Sequence, residues 1–365
     1  MEIKDFKIPA YLKAFSVMAF IIVLVFFLIV GKSLLIPLFM GGFFAILFTP
    51  IGNWMEKYKI PRTLACVLSL LIMIAFVAGL LGFIIGNVVS FTKDFSDTSD
   101  RLVTVAEQID RWASSTFGIQ ENLSEKVEAE ALIRYVNKNT SSITSFALSA
   151  IGSMSGLILI PVFMFFFLLY REHLTRMMVM IYRNHDPALV KMRISNLRKV
   201  IQGYIVGVGK VMVILAILNI TAYSIIGVKH AVFFGILGAI LNIIPYIGPL
   251  IGVTLPMTYS FLTMDGLIYP VLVFGSYQVI QIIEGNFLTP KIVGGNVNLN
   301  AFITFLGLLV GGSIWGIAGM ILVIPTLAIL REIFSLSEET KPFALLLGEE
   351  KDDDEYFKEK DGSSE

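Results

Sequence analysis

Eight apolar runs, most of them about twenty residues or longer, dominate this chain and decide what it can fold into. They cover 14–31, 33–50, 63–91, 143–170, 205–227, 231–256, 266–283 and 302–330. A helix needs about 20 apolar residues to cross a bilayer. The chain is 56% hydrophobic and 15% charged, with a mean hydropathy of +0.80. A water-soluble domain carries about 25% charged residues. So much apolar surface cannot be hidden in one soluble core. The expected fold class is an all-α polytopic membrane protein of about eight transmembrane helices.

Charge sets the orientation. Residues 171–202 carry seven bases against Glu172 and Asp186, which places this segment in the cytoplasm. Counting back, 92–142 lies outside, Lys57, Lys59 and Arg62 inside, Lys32 outside, and the N-terminus with Lys4, Lys7 and Lys13 inside. Only Lys32 stands against the rule. The first run lacks a small-residue cleavage site and reads as an uncleaved anchor. The tail ends in Asp352, Asp353, Asp354 and Glu355, and reads as disordered and cytoplasmic. An interior tail requires an even number of crossings.

These features divide the chain into 1–91 (helices 1–3), 92–142, 143–202 (helix 4 and a basic linker), 203–335 (interrupted apolar runs) and 336–365 (the acidic tail). Segment 92–142 holds nine acids and six bases. Leu102, Val105, Ile109 and Trp112 recur there at helical spacing, so it reads as an amphipathic extracytoplasmic cap. In 171–202, Asp186-Pro187 signals a helix start, followed by Val190, Ile194, Leu197 and Ile201 on one face.

Glycine and proline interrupt the later runs. Pro245 and Pro249 remove helix donors, and nearby carbonyls must find other partners. Residues 242–253 are therefore expected to be re-entrant or unwound. Gly248, Gly252, Gly311, Gly312, Gly316 and Gly319 suggest close backbone approach, as does the Gly41-Gly42 pair. GILGAILNIIP (235–245) and GIAGMILVIP (316–325) echo each other, either as an internal repeat or as coincidence in a restricted alphabet.

Polar groups inside apolar runs carry any chemistry. Gln278, Gln281 and Glu284 are three apart and form one stripe on a helix. Asn286, Thr289 and Pro290 follow, and Asn242 and Tyr246 lie in the other broken segment. Together they suit a small polar solute or a monovalent cation. A charge at the bilayer centre costs roughly 2.5–3.5 kcal/mol. Glu284 either serves proton or ion exchange or sits at the interface paired with Lys291. Lys210 reaches the headgroups, Asn219 and Thr221 act as helix-packing glue, and Cys66 is an inert small residue. No cofactor, metal-ligand or catalytic motif occurs, and no Walker loop, so neither ATP use nor an enzyme is expected. A net charge of zero argues against nucleic acid as a partner.

NIIPYIGPLIG (242–252) resembles the signature of the autoinducer-2 exporter (AI-2E) family. The lead-in GYIVGVGK (203–210), QIIEGNFLTPKIVG (281–294) and GGSIWGIAGMILVIP (311–325) are similar to that family in order and spacing. The resemblance implies a bacterial inner-membrane transporter with both termini inside. It implies homo-oligomers, a pentamer among the options, and elevator-like motion of a transport domain (203–335) with re-entrant hairpins against a scaffold (1–91). It places Glu284, Asn286 and Pro290, with Pro245, Tyr246, Gly248 and Pro249, on motif positions. Export of the quorum-sensing signal autoinducer-2 is the leading expectation. Na⁺(Li⁺)/H⁺ antiport through Glu284 and a non-transporting membrane scaffold are the alternatives.

Overall fold

The computed structural model describes residues 9–96, 114, 155–181, 187–293, 299–335 and 340–348. Among these the chain is helical and no strand occurs. Segment 97–142, apart from residue 114, lies outside the described residues, as do Lys4, Lys7, Asp186 and the acidic run 352–355.

Among the described residues, five helices are long and apolar enough to cross a membrane: Lys32–Lys57, Arg62–Asn87, Val190–Ile226, Ile268–Ile292 and Ile317–Phe334. Ile158–Leu169 and Arg171–Ile181, bent by 68° at their junction, make a sixth if counted as one span. Four shorter apolar helices accompany them: Ala14–Val30, Ala231–Leu241, Ile247–Thr263 and Ala301–Trp315. The all-α polytopic fold with broken helices in the C-terminal half is as expected: the apolar runs 231–256 and 302–330 each break into two shorter helices. The chain is a multi-pass membrane protein.

The helices fall into two compact units. Unit 1 comprises Met1–Thr49, Gly156–Arg193 and Leu299–Glu365; unit 2 comprises Pro50–Ser155 and Ile194–Asn298. The stretch 203–335, read from sequence as one domain, is divided between them.

In unit 1, α1 (Ala10–Val30) and most of α2 (Lys32–Lys57) precede α4 (Ser155–Leu169) and α5 (Arg171–Ile181). The Gly41-Gly42 pair packs against α4. A Cβ at Gly41 would lie 2.6 Å from the Phe163 Cβ. The run 302–330 is a helical hairpin, α11 (Ala301–Trp315) and α12 (Ile317–Phe334). Gly316 turns it at φ 60°, ψ −137°, a conformation open only to glycine. Gly311 and Gly319 face each other so closely that a Cβ at Gly319 would sit 1.9 Å from the Gly311 carbonyl oxygen. Asn300 caps α11, its Oδ1 accepting from the amides of Phe302 at 2.9 Å and Ile303 at 3.4 Å. The Trp315 indole donates to the Leu28 carbonyl at 2.9 Å, tying α11 to α1.

Residues 341–347 correct the expectation of a wholly disordered tail. They form α13 (Lys341–Leu347), with Ala344 and Leu347 buried. The Asn300 amide donates to the Leu347 carbonyl at 2.9 Å, and Phe343 packs on Phe334. KPFALLL is apolar, and burial against α12 holds what composition alone would leave loose.

In unit 2, α3 (Arg62–Ser96) is followed after the undescribed stretch by the greater part of α6 (Pro187–Ile226). The division between units falls inside α2 and α6. Residues 171–181 and 187–202 of the basic segment are helical, and α6 begins at Pro187, a residue suited to the first helical position. Then come α7 (Ala231–Leu241), α8 (Ile247–Thr263) and α9 (Ile268–Ile283). Their core is aromatic: Tyr223, Phe233, Phe234, Tyr259 and Tyr277 are buried with Val228, Val253 and Val273. Phe83 of α3 packs against this cluster. Cys66 is buried in α3. The two echoing segments take different roles. The first ends at Pro245 in a break, whereas the second holds Pro325 buried inside α12, so they are not structural equivalents.

Candidate functional site

The break between α7 and α8 spans Asn242–Tyr246. It is shorter than the expected 242–253, because Pro249 lies in the first turn of α8, where a missing amide costs nothing. Tyr246 is at φ 64°, ψ −53°, and the Ile247 amide donates to the Pro245 carbonyl at 2.7 Å. This is a γ-turn of the rare, strained hand. The turn folds α8 back on α7. A Cβ at Gly248 would lie 1.8 Å from the Leu241 carbonyl oxygen, so only glycine admits this approach. Deeper in the pair, Gly252 and Gly238 meet, a Cβ on Gly252 falling 3.4 Å from the Gly238 Cα.

A polar bridge spans this break. The Gln281 side-chain amide of α9 donates to the Asn242 Oδ1 at 3.2 Å and to the Tyr277 hydroxyl at 2.7 Å. Asn242 is the C-cap of α7, so the bridge fixes the end of α7 against α9. Tyr277 is 1% exposed, and its hydroxyl lies 3.0 Å from where a Gly252 Cβ would be. A carboxamide donating to two acceptors at a helix end is a small, neutral, hydrogen-bonding surface inside apolar helices.

The stripe continues into an irregular turn. Residues Glu284–Leu288 form a π-helical turn before α10 (Thr289–Ile292), and the Thr289 amide donates to the Glu284 carbonyl. Pro290 has no amide and its ring clashes with the preceding turn, so the helix widens. The Thr289 hydroxyl donates to the Glu284 carboxylate. Glu284 is half-buried, and no ion pair joins it to Lys291 among the described residues.

The structure brings Asn242 and Gln281 together and sets Glu284 one turn beyond. Gln278 is exposed, and Asn286 is exposed with its amide donating to the Ile282 carbonyl at 2.9 Å. Tyr246 is 69% exposed and shapes the turn through its backbone. Pro245 and Gly248 build the break, and Pro290 the π-turn. Gly311 and Gly312 belong to the α11–α12 hairpin in unit 1. Sequence reasoning missed Tyr277, four residues before Gln281 and so on its face, and did not pair Thr289 with Glu284. It also read Asn219 as packing glue. Asn219 and Tyr223 are buried, and among the described residues the Asn219 Oδ1 and Tyr223 hydroxyl have no hydrogen-bond partner.

Broken, glycine-packed helices with a polar bridge suit a transport protein, and the comparisons decide which kind. The AI-2E family transporter pattern matches residues 15–338. The chain belongs to the AI-2E transporter family. Among its relatives, "Putative transport protein YueF" of Bacillus subtilis (strain 168) is 26% identical over 84% of this chain and 85% of its own length. "Putative transport protein YrrI" of the same organism is 25% identical over 84% and 87%. "AI-2 transport protein TqsA" of Escherichia coli (strain K12) is 22% identical over 87% and 90%. AI-2E membership makes the chain a member of a transporter family.

Proposed function

We propose that this AI-2E family member exports a small polar solute, with autoinducer-2 the leading candidate, by elevator-like alternating access without ATP. The observation that carries the reading is the polar bridge Asn242–Gln281–Tyr277 at the γ-turn break, inside otherwise apolar helices. Backbone departs from helix at membrane depth only where protein or a polar cavity satisfies it. The name of TqsA supports the choice of solute. The same reading places the chain in a bacterial inner membrane with both termini cytoplasmic, working as a homo-oligomer.

The test is efflux from proteoliposomes loaded with autoinducer-2. The wild type is expected to release it, and Gln281→Leu to slow release by about tenfold. Efflux of Gln281→Leu at the wild-type rate removes the bridge from the mechanism.

A second reading has its own observation. Glu284 opens a π-helical turn, a feature frequent at functional sites, with its carboxylate held by Thr289. This arrangement suits a carboxylate that exchanges a proton for Na⁺. Sodium-driven proton movement that Glu284→Gln abolishes would establish it.

A further inference from the structure

Most buried polar groups in a folded protein have a partner, and those that lack one ask for an explanation. Unit 2 has two such atoms on one helix face. Asn219 is 2% exposed and Tyr223 is 0% exposed, and among the described residues neither the Asn219 Oδ1 nor the Tyr223 hydroxyl has a hydrogen-bond partner. They are four residues apart on α6, so their side chains are neighbours. Their surroundings place them at the glycine crossing of the broken pair. The Asn219 Nδ2 lies 3.9 Å from where a Gly238 Cβ would be, and that position is 3.8 Å from the Gly252 carbonyl oxygen. The Tyr277 hydroxyl lies 3.0 Å from the corresponding Gly252 position. Tyr223 and Tyr277 share one buried cluster. Helices α6, α7, α8 and α9 thus converge on a small polar node, of which the Gln281 bridge is one edge.

The chemistry of the unpartnered atoms narrows what fits. The Asn219 Oδ1 can only accept. The Tyr223 hydroxyl carries a proton to donate. A hydroxyl group donates once and accepts twice, so a single O–H satisfies both. A cation would use the lone pairs but leave the phenolic proton pointing at nothing. Helices α7, α8 and α9 carry no charged residue. Glu284 lies seven residues past Tyr277 and is engaged by Thr289, and Lys210 lies nine residues before Asn219 and is exposed. We infer that Asn219 and Tyr223 form a hydroxyl-recognition site for a neutral, hydroxyl-rich solute, held between α6 and the α7–α8 break. The inference rests on the transporter reading and names the groups that select its cargo.

The experiment uses the full-length protein in nanodiscs, titrated calorimetrically with glycerol, erythritol, ribose, autoinducer-2 and NaCl, with flux of the same solutes followed in proteoliposomes. Tyr223→Phe deletes one oxygen and keeps the ring, so it preserves packing. Asn219→Leu keeps the volume and removes the amide. At least one of the neutral hydroxyl compounds is expected to bind the wild type. Each substitution then weakens that binding at least tenfold, and sodium gives no saturable heat. Unchanged affinity and flux in Tyr223→Phe, with a raised melting temperature, mark the pair as the seat of a structural water and overturn the site while leaving transport intact. Saturable sodium binding that either substitution weakens overturns the hydroxyl assignment in favour of a cation. A wild type that moves none of these solutes overturns the site together with the transporter reading.

Discussion

Tyr246 sits where a side chain is least welcome, at φ 64° and ψ −53°. Strain at such a position amounts to about 1–3 kcal/mol. Its ring is largely exposed, so little packing holds the residue in place. Tyr246→Gly is therefore expected to raise stability by about 1 kcal/mol, read as a higher melting temperature in detergent, while efflux falls as the turn loosens. Efflux and melting temperature both unchanged would show that the turn stores nothing. Gly248 presents the opposite case. A methyl group there would meet the Leu241 carbonyl at 1.8 Å, a backbone atom that cannot swing aside. Gly248→Ala is expected to cost about 3 kcal/mol or to open the break. A melting curve like the wild type's would mean that α8 does not fold back on α7 as described.

The break and the π-turn differ in how visible they are in the sequence. Pro245 and Gly248 announce the first, because a missing donor and a missing Cβ act locally. Pro187 likewise marks the start of α6, and Gly41 the close packing of α2 on α4. Pairing over distance is not legible in this way. Asn242 and Gln281 are 39 residues apart, and nothing in either segment names the other. The hairpin at Gly316 was hidden for a different reason. AFITFLGLLVGGSIWGIAGMILVIP reads as one apolar rod, and only the φ of Gly316 turns it. Asn219 gives no such signal in the sequence, because polar side chains inside apolar helices usually find a neighbouring carbonyl, as Thr221 does on Ile217 at 2.8 Å. At the π-turn, Thr289→Val leaves the Glu284 carboxylate without that donor. It is expected to cost about 1 kcal/mol, whereas Glu284→Gln keeps an acceptor in place and melts close to the wild type. Equal losses from both would place the stabilising contact elsewhere.

At the scale of the whole molecule, burial is concentrated in aromatic and glycine-rich packing, while much of the apolar surface faces outward. Phe15, Phe20, Phe26 and Phe27 on α1 are all exposed. In water such a face would drive aggregation; in a bilayer it is the solvated side. The last helix closes unit 1. Truncation after Ser335 removes α13, the Leu347 carbonyl that accepts from Asn300, and the Phe343 ring on Phe334. Loss of a buried leucine and one hydrogen bond is expected to cost about 3 kcal/mol. Truncation after Gly348 retains α13 and serves as the control. If both truncated forms melt alike, α13 does not hold the hairpin.

The chain has one cysteine, and Cys66 is 1% exposed within α3. Its thiol is screened from any maleimide dissolved in the aqueous phase, so the intact wild type should take up no such reagent until it is denatured. The native protein is thus its own blank for scanning experiments. Single thiols introduced along the α7–α8 turn would report their accessibility on each side of the membrane, without first replacing a buried residue of α3.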